Sequence, residues 1–375
     1  MKICVVSPDL SNNCLGRGYF LARVLMKRYE VVITGPVFGK KIWEPVSGDA
    51  SVTYRPVPFQ GFLLPFLNFG KLLREIDGDV IYACKPLLTS LGAALLKNIF
   101  LKKPLVLDIE DWQTGLYKDA LRGLPLPARI AYFVYSLVFF YRTNSYFNSW
   151  AGERLARYAA SITVSNEFLR NKFGGPVIVH ARDTDSFDPA RFDGAAVRQA
   201  LGLSPEAKIV MFFGTPRAHK GLDDLIKAVG MVKDGRVLLV VVGATGHRYC
   251  KKTGDLGRKT LGERYREFGL QPFHKVPEFL SAADMVAIPQ KKNDATAGQI
   301  PAKLFDAMSM AKPVIATDVS DIKDILGGCG LIAEPGNPAR LAEAIRHILD
   351  NPREAAEMGR KARERCIEKY SFPAA

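Results

Sequence analysis

Residues 298–319 read Gly-Gln-Ile-Pro-Ala-Lys-Leu-Phe-Asp-Ala-Met-Ser-Met-Ala-Lys-Pro-Val-Ile-Ala-Thr-Asp-Val. A glycine-containing loop runs into an expected short helix, residues 301 to about 311, that carries an acid, Asp306, in its second turn. Lys312-Pro313 stops the helix, since proline has no N–H to continue it, and a β-rich run at 314–316 follows. A helix start offers unpaired backbone N–H groups and a positive dipole end, which suits a phosphate. An acid further along the same helix reaches a pair of neighbouring hydroxyls.

Outward from this segment, short β-rich runs alternate with helical stretches. Strands are expected at 2–7, 31–35, 52–56, 80–83, 105–109 and 162–165, with helices such as 19–28 and 89–100 between them. A second series follows, with strands at 209–213, 237–242, 265–268 and 285–289, a helix at 222–232, and then the decisive segment and its strand. Strands alternating with helices predict an α/β protein with parallel sheets covered on both faces. At 375 residues the chain suits two domains, and the pattern restarts near 193–204, so the expected division is 1–190 and 191–375.

Composition narrows the class. Hydrophobic residues make up 48% and charged residues 24%, as in a folded soluble protein. The six cysteines show no C-x-x-C or metal-like spacing, which argues for reduced thiols in a cytoplasmic setting and against a zinc site. The apolar run at the start is too short for a secretion signal and reads as a first buried strand. Residues 1–190 hold 23 basic and 16 acidic residues and residues 191–375 hold 29 and 22, so each half carries +7 of the formal +14. Such a field attracts nucleic acid, anionic membrane and nucleotide phosphates alike, and charge alone does not choose.

A second segment carries chemistry. Phe212-Phe213-Gly214-Thr215-Pro216-Arg217-Ala218-His219-Lys220-Gly221-Leu222 is a strand, a glycine turn with two cations, then a helix. Such turns at the carboxyl end of a parallel sheet are where these folds bind ligands. Arg217 offers a forked contact and Lys220 a point charge to a diphosphate. The alternative is an ordinary surface loop.

Taken together, Gly214…Lys220-Gly221, Ala283-Asp284…Pro289 and Pro301-Ala302-Lys303-Leu304-Phe305-Asp306-Ala307-Met308 resemble, in order and spacing, the C-terminal motifs of glycosyltransferase family 4 in the GT-B superfamily. Weaker similarity reaches back through 162–187, 79–81 and 2–25. The resemblance implies two Rossmann-like domains whose parallel sheets face an interdomain cleft, the first on the acceptor side and the second binding the donor. It implies a retaining transfer of a sugar from a UDP- or GDP-sugar to a cell-surface glycan or lipid-linked acceptor, without metal or other cofactor and without nucleic acid. By it Arg217 and Lys220 hold the donor diphosphate, Asp306 the ribose hydroxyls, and the amides around Gly298, Gln299 and Ile300 the distal phosphate or sugar. Gly214 and Lys303 fall among the same donor contacts. Two other readings stay open: a catalytically inert GT-B subunit regulating a partner transferase, and a GT-B sugar-nucleotide epimerase.

The sequence departs from that family's pattern. Its paired acids stand eight residues apart, but the residue eight before Asp306 is Gly298, and the second acid is Asp rather than Glu. Many members carry a histidine after the strand matching 105–109, where this chain has Glu110-Asp111-Trp112. Glu110 and Asp111 either cap a solvated strand end or act as the catalytic carboxylates facing the acceptor hydroxyl or donor sugar. Gly16-Arg17-Gly18 is a glycine turn entering a helix, but Leu21 stands where a G-x-G-x-x-G fingerprint has its last glycine, so no dinucleotide site is expected. In GT-B enzymes the matching loop lines the cleft, and Arg17 is placed to meet an anionic acceptor.

Residues 128–141 are almost wholly apolar and rich in aromatics, yet too few for a transmembrane helix. One reading is a core helix of the first domain. The other is an interfacial helix on an anionic membrane surface, with the aromatics at headgroup depth beside Lys118, Arg122, Arg129 and Arg142. That second reading implies a peripheral enzyme on the inner face of the cell membrane, and the apolar residues of 60–73 repeat the theme.

Overall fold

A computed structural model describes residues 1–374 and divides into two compact units, one of residues 1–180 with 297–299, the other of residues 181–296 with 300–374. The first unit holds β1 (Lys2–Val6), β2 (Glu30–Val37), β3 (Thr53–Pro58), β4 (Val80–Cys84), β5 (Leu105–Ile109) and β6 (Ser161–Val164). They form one sheet in the order β3-β2-β1-β4-β5-β6, with every pairing parallel. The second unit holds β7 (Lys208–Phe213), β8 (Val237–Ala244), β9 (Tyr265–Gly269), β10 (Met285–Ile288), β11 (Val314–Thr317) and β12 (Leu331–Ala333). Read from β9, its order β9-β8-β7-β10-β11-β12 repeats that of the first sheet, again all parallel. Two Rossmann-like units built this way constitute the GT-B fold.

The inner strands of each sheet are buried on both faces and so read as continuous apolar runs, while the edge strands β3 and β9 carry exposed polar residues. In the second unit Val210, Phe212, Val237, Leu239, Val241 and Met285 pack under helix Leu222–Met231 and helix Pro338–Asp350. In the first, Cys4, Val6, Ile81, Ala83, Leu105 and Leu107 form the matching core. All six cysteines are free thiols.

The strand expected at each predicted position is present, with ends within about two residues, as frayed ends allow. The short edge strand β12 was not expected. The helix expected at 301–311 is confined to Lys303–Ser309. The contact pattern changes at His180/Ala181, ten residues ahead of the expected 190. Arg182 explains this: its N–H donates to Tyr370 O at 2.8 Å and Phe372 N–H donates to Arg182 O at 2.9 Å, tying the segment to the last helix, Pro352–Tyr370.

In each sheet the strand order reverses between the two central strands, β1 and β4 or β7 and β10, which themselves run parallel. Crevices beyond the carboxyl ends of strands at such a switch point are where open α/β sheets take ligands. The residues that follow those four strands therefore line the candidate sites.

Candidate functional site

In the second unit, β7 ends at Phe213 and Gly214 turns the chain with φ +107°, a left-handed value that open space around its Cα and the lack of a side chain permit. Gly221, φ +67°, lies so close to β10 that an added Cβ would sit 1.8 Å from Pro289 O. Only glycine lets this turn lie against the end of β10, and Lys291 N–H donates to His219 O at 2.9 Å to fix it there. Arg217 and Lys220 are both half-buried, and Lys220 Nζ donates to Thr215 O at 3.0 Å.

A third cation joins them. Lys303 opens helix Lys303–Ser309, is buried, and places its Nζ 4.0 Å from the centre of the Phe212 ring. That Nζ has no hydrogen-bond partner. Burial and the charge of Lys220 hold its pKa well below the ordinary lysine value, although Asp306 pulls the other way. His219 stands in the same field: burial, then Lys220, Lys303 and Arg217, push it down to about 3, so it is neutral at physiological pH. At the end of β10, Gln290 is buried with neither amide atom bonded, while Thr317 Oγ1 donates to its carbonyl at 2.6 Å. Unmade hydrogen bonds in buried groups are rare and costly, and these gather at one switch point.

Asp306 has a partner that differs from the expected one. It is 5% exposed and paired with Arg182, whose Nη2 also donates to Ala302 O at 3.1 Å and whose guanidinium lies 5.6 Å from the Phe273 ring centre. The carboxylate expected to meet ribose hydroxyls is thus held inside the unit by a buried arginine. Ile300 is likewise buried.

In the first unit, Arg17 corrects its expectation as an acceptor contact. Its side chain is fully buried, with Nε and Nη2 each 2.9 Å from an Asp108 oxygen and Nη2 also donating to Ile178 O at 2.7 Å. Gly16-Arg17-Gly18 lies inside helix Leu15–Leu25 rather than in a loop. Gly18 brings that helix against the sheet, where an added Cβ would touch Cys84 Sγ and Val5 at 3.5 Å, and Gly16 faces the Trp43 ring. A buried Asp108 in the apolar strand β5 demands such a cation.

Glu110 and Asp111 do not cap a solvated strand end. Lys85, which follows β4 with φ +64°, bonds both: its Nζ is 2.9 Å from Glu110 Oε2 and in closer contact with Asp111. His180 Nε2 lies 3.4 Å from Glu110 Oε1, and Gln299 Nε2 donates to Asp111 Oδ1 at 2.8 Å. Burial raises the Glu110 pKa, but Lys85, His180 and Arg17 outweigh it and hold the carboxyl well below its usual range. Burial lowers that of Lys85, yet Asp111 and Glu110 outweigh it and hold the ammonium charged. Glu110 is therefore a fixed anion, and Lys85 a fixed cation set between the two acids. Gly298 sits under Trp112: an added Cβ would come within 2.6 Å of Trp112 Cβ and 3.0 Å of its N. The place of the family's first acid is filled by tryptophan.

The sequence reading missed Lys85, His180, Arg182 and Gln290. A lysine directly after a switch-point strand was a usable signal for Lys85; for the others only the fold supplies the partner.

A family model described as "Glycosyl transferases group 1" matches residues 207–351. Residues 207–351 are a group 1 glycosyltransferase domain. Outside the match lie residues 1–206, which hold nearly all of the first unit and the start of the second, and the last helix, Pro352–Tyr370. Among curated relatives, the alpha-D-kanosaminyltransferase of Streptomyces kanamyceticus is 23% identical over 249 residues, 63% of each chain. The lipopolysaccharide core biosynthesis mannosyltransferase LpsB of Rhizobium meliloti is 30% identical over 195 residues, 48% of this chain and 52% of that one. The chain thus spans less than two thirds of these relatives' length. Among solved structures, Anabaena HepE in complex with UDP and glucose superposes with TM-score 0.74 and 20% identity, covering 100% of this chain and 96% of that one. WaaG, a glycosyltransferase involved in lipopolysaccharide biosynthesis, gives 0.68 and 15%, covering 99% and 97%. The glycosyltransferase domain contains the Arg217, Lys220 and Lys303 cations, Gln290 and Asp306.

Proposed function

We propose that this chain transfers a glycosyl group from a nucleotide sugar, UDP- or GDP-linked, to a glycan or lipid-linked acceptor, with retention and without a metal. The observation that carries the reading is the gathering of Arg217, Lys220 and Lys303 at one switch point with the Lys303 ammonium unpartnered. A diphosphate supplies the anion that this buried cation lacks. Fixed cations of this kind neutralise charge developing on a departing nucleotide, the task a metal performs elsewhere. Gly214, Gln299 and the backbone at Gly298 and Ile300 are the remaining donor contacts in this reading. In the first unit the carboxyl groups of Glu110 and Asp111 are suited to stabilising positive charge at a sugar carbon or orienting a hydroxyl; held well below its usual range, Glu110 is a poor proton acceptor.

The test is calorimetric titration with UDP, GDP and their sugars, read beside product formation with and without EDTA. Binding of none of these nucleotides ends the reading, and full loss of transfer in EDTA ends its metal-free part. Gly298, where the resemblance expects an acid, favours one rival, an inert subunit; nucleotide binding with no product under any acceptor would establish it.

We further propose that the enzyme works in the cytoplasm, docked on an anionic membrane through its first unit. Helix Leu126–Val138 buries only Ser136, while Leu126, Ile130, Phe133 and Val134 are more than half exposed. The reading of this stretch as a core helix therefore fails. Leu63, Phe66 and Leu67 extend the exposed apolar surface, and Phe62 meets Phe139 at 6.0 Å between ring centres, joining the two segments. Residues 112–172 add eight basic residues against three acids. Apolar insertion and Coulomb attraction thus act together. Among the described residues no helix is long and apolar enough to cross a membrane. Sedimentation with vesicles should rise with anionic lipid and fall with salt; absence of binding at low salt overturns the docking.

A further inference from the structure

Two cavities of the first unit flank one pair of tyrosines. The first, of about 350 Å³, is polar and is lined by Asp9, Asn12, Tyr135, Arg142, Thr143 and Asn144 among others. It lies beyond the carboxyl ends of β1 and β2, where the loops after those strands meet the segment that follows helix Leu126–Val138. Its walls are held rigidly. Asp9 accepts from Ser11 N–H at 2.8 Å and from Asn12 Nδ2 at 2.5 Å, and the Arg142 guanidinium lies 5.2 Å from the Phe38 ring centre. Arg142 Nε is buried and has no hydrogen-bond partner.

The second cavity, of about 330 Å³, is apolar and lined by Leu121, Arg129, Ile130, Tyr132, Phe133 and Tyr146. Tyr132 belongs to this cavity and Tyr135 to the first. Their rings stack with centres 6.1 Å apart, and both hydroxyls bond Asn144, Tyr132 to its carbonyl at 2.6 Å and Tyr135 to Oδ1 at 2.9 Å. A polar pocket and an apolar groove therefore share a wall one helical turn thick.

We propose that the two cavities form one bipartite acceptor site for a glycolipid, with a polyhydroxylated sugar head in the polar cavity and its hydrocarbon chain in the groove. Amide, hydroxyl and guanidinium groups around one pocket match a sugar, whose hydroxyls both donate and accept. The unpartnered Arg142 Nε supplies a donor with no competing bond to break. The groove opens on Ile130 and Phe133, 56% and 58% exposed, so a chain leaving it meets the apolar helix face rather than water alone. A soluble glycan leaves the groove empty, and a plain lipid leaves the polar groups unsatisfied; only an amphiphile uses both.

The site rests on the reading that the first unit takes the acceptor, and its binding titrations are run without nucleotide, with a separate UDP titration to tell the two readings apart. Octyl glucoside, kept below its micellar concentration, is titrated into the full chain beside glucose and beside tetraethylene glycol monooctyl ether, which carries the same tail without a sugar. Saturable binding of octyl glucoside, at least ten-fold tighter than either comparison, is the expected result. Thr143→Ala and Arg142→Gln should each weaken it several-fold through the head, and Ile130→Asp ten-fold through the tail. Ile130 is exposed, so Ile130→Asp should melt at the parent temperature. Equal binding of the ether overturns the head pocket, leaving a greasy surface only. No saturable octyl glucoside binding, with UDP still bound, overturns the bipartite site and leaves the donor reading intact.

Discussion

Replacing Lys303 by methionine should make the protein more stable and a poorer binder of nucleotide. The parent side chain buries an ammonium with no hydrogen-bond partner, and leaving such a donor unsatisfied costs about 1–3 kcal/mol. Methionine is of similar length, keeps contact with the Phe212 ring through its sulfur, and has no donor to satisfy. Allowing for the lost cation–ring attraction, the net gain is about 1–2 kcal/mol. For a unit the size of the second, that shifts its melting temperature upward by roughly 2–8 °C.

The gain depends on pH with a definite sign. Burial and Lys220 hold the folded-state pKa of Lys303 below the ordinary value of 10.5, so the unfolded chain binds the extra proton and parental stability rises with pH. The advantage of Lys303→Met is therefore full below the depressed folded value and fades as pH climbs toward 10.5. Calorimetric melts of parent and variant at neutral pH and near pH 10, with UDP titrations alongside, measure both halves. Loss of a charge-assisted contact of about 1.5–3 kcal/mol should weaken UDP on the order of 10- to 100-fold. A variant that melts lower than the parent at neutral pH and binds UDP equally well would refute the reasoning, for Lys303 would then be a structural cation.

Arg217→Ala and Lys220→Ala should each weaken UDP or GDP by on the order of 10- to 100-fold in calorimetry without lowering the melting temperature, since neither side chain is buried in the core. Gly298→Glu restores the acid that the resemblance expects but drives a Cβ to 2.6 Å from Trp112, so it should cost about 1–3 kcal/mol in urea denaturation and lower transfer rather than raise it. Arg182→Ala leaves Asp306 buried and unpaired, and should cost about 3–5 kcal/mol by the same assay; a loss under about 1 kcal/mol would show the pair to be incidental.

How much was legible in the sequence followed from the range of the interaction. Strands such as β7 and β8 are continuous apolar runs bounded by turns, a local signal, and they stand where expected. The edge strand β12 is three residues, Leu331-Ile332-Ala333, too short for any periodicity to mark it. The cationic turn 214–221 was legible because its glycines and cations are neighbours in sequence. Arg17 was misread because its partner Asp108 lies 91 positions away, and Asp306 because Arg182 lies 124 away. An acid in the middle of the apolar strand β5 was the one clue that a buried cation had to exist.

The charge balance makes the same point in another way. Both halves carry +7, which suggested no division of labour, yet the fold disposes the two excesses differently. In the first unit the buried cations are matched by acids: Arg17 by Asp108, and Lys85 by Glu110 and Asp111. Of what remains, Lys118, Arg122, Arg129 and Arg142 stand on or next to the exposed apolar helix in the chain, a placement suited to a surface of many weak, salt-screened charges. In the second unit Arg182 has Asp306, but Lys303 is buried with no acid in hydrogen-bonding reach, and Lys220 adds to its field. An unmatched ammonium inside a protein is stable only if the fold tolerates its cost or an anion arrives from outside. In the proposed reading a small polyanion entering the turn between β7 and β10 would relieve that cost on binding, so that the destabilising residue and the binding residue would be the same one.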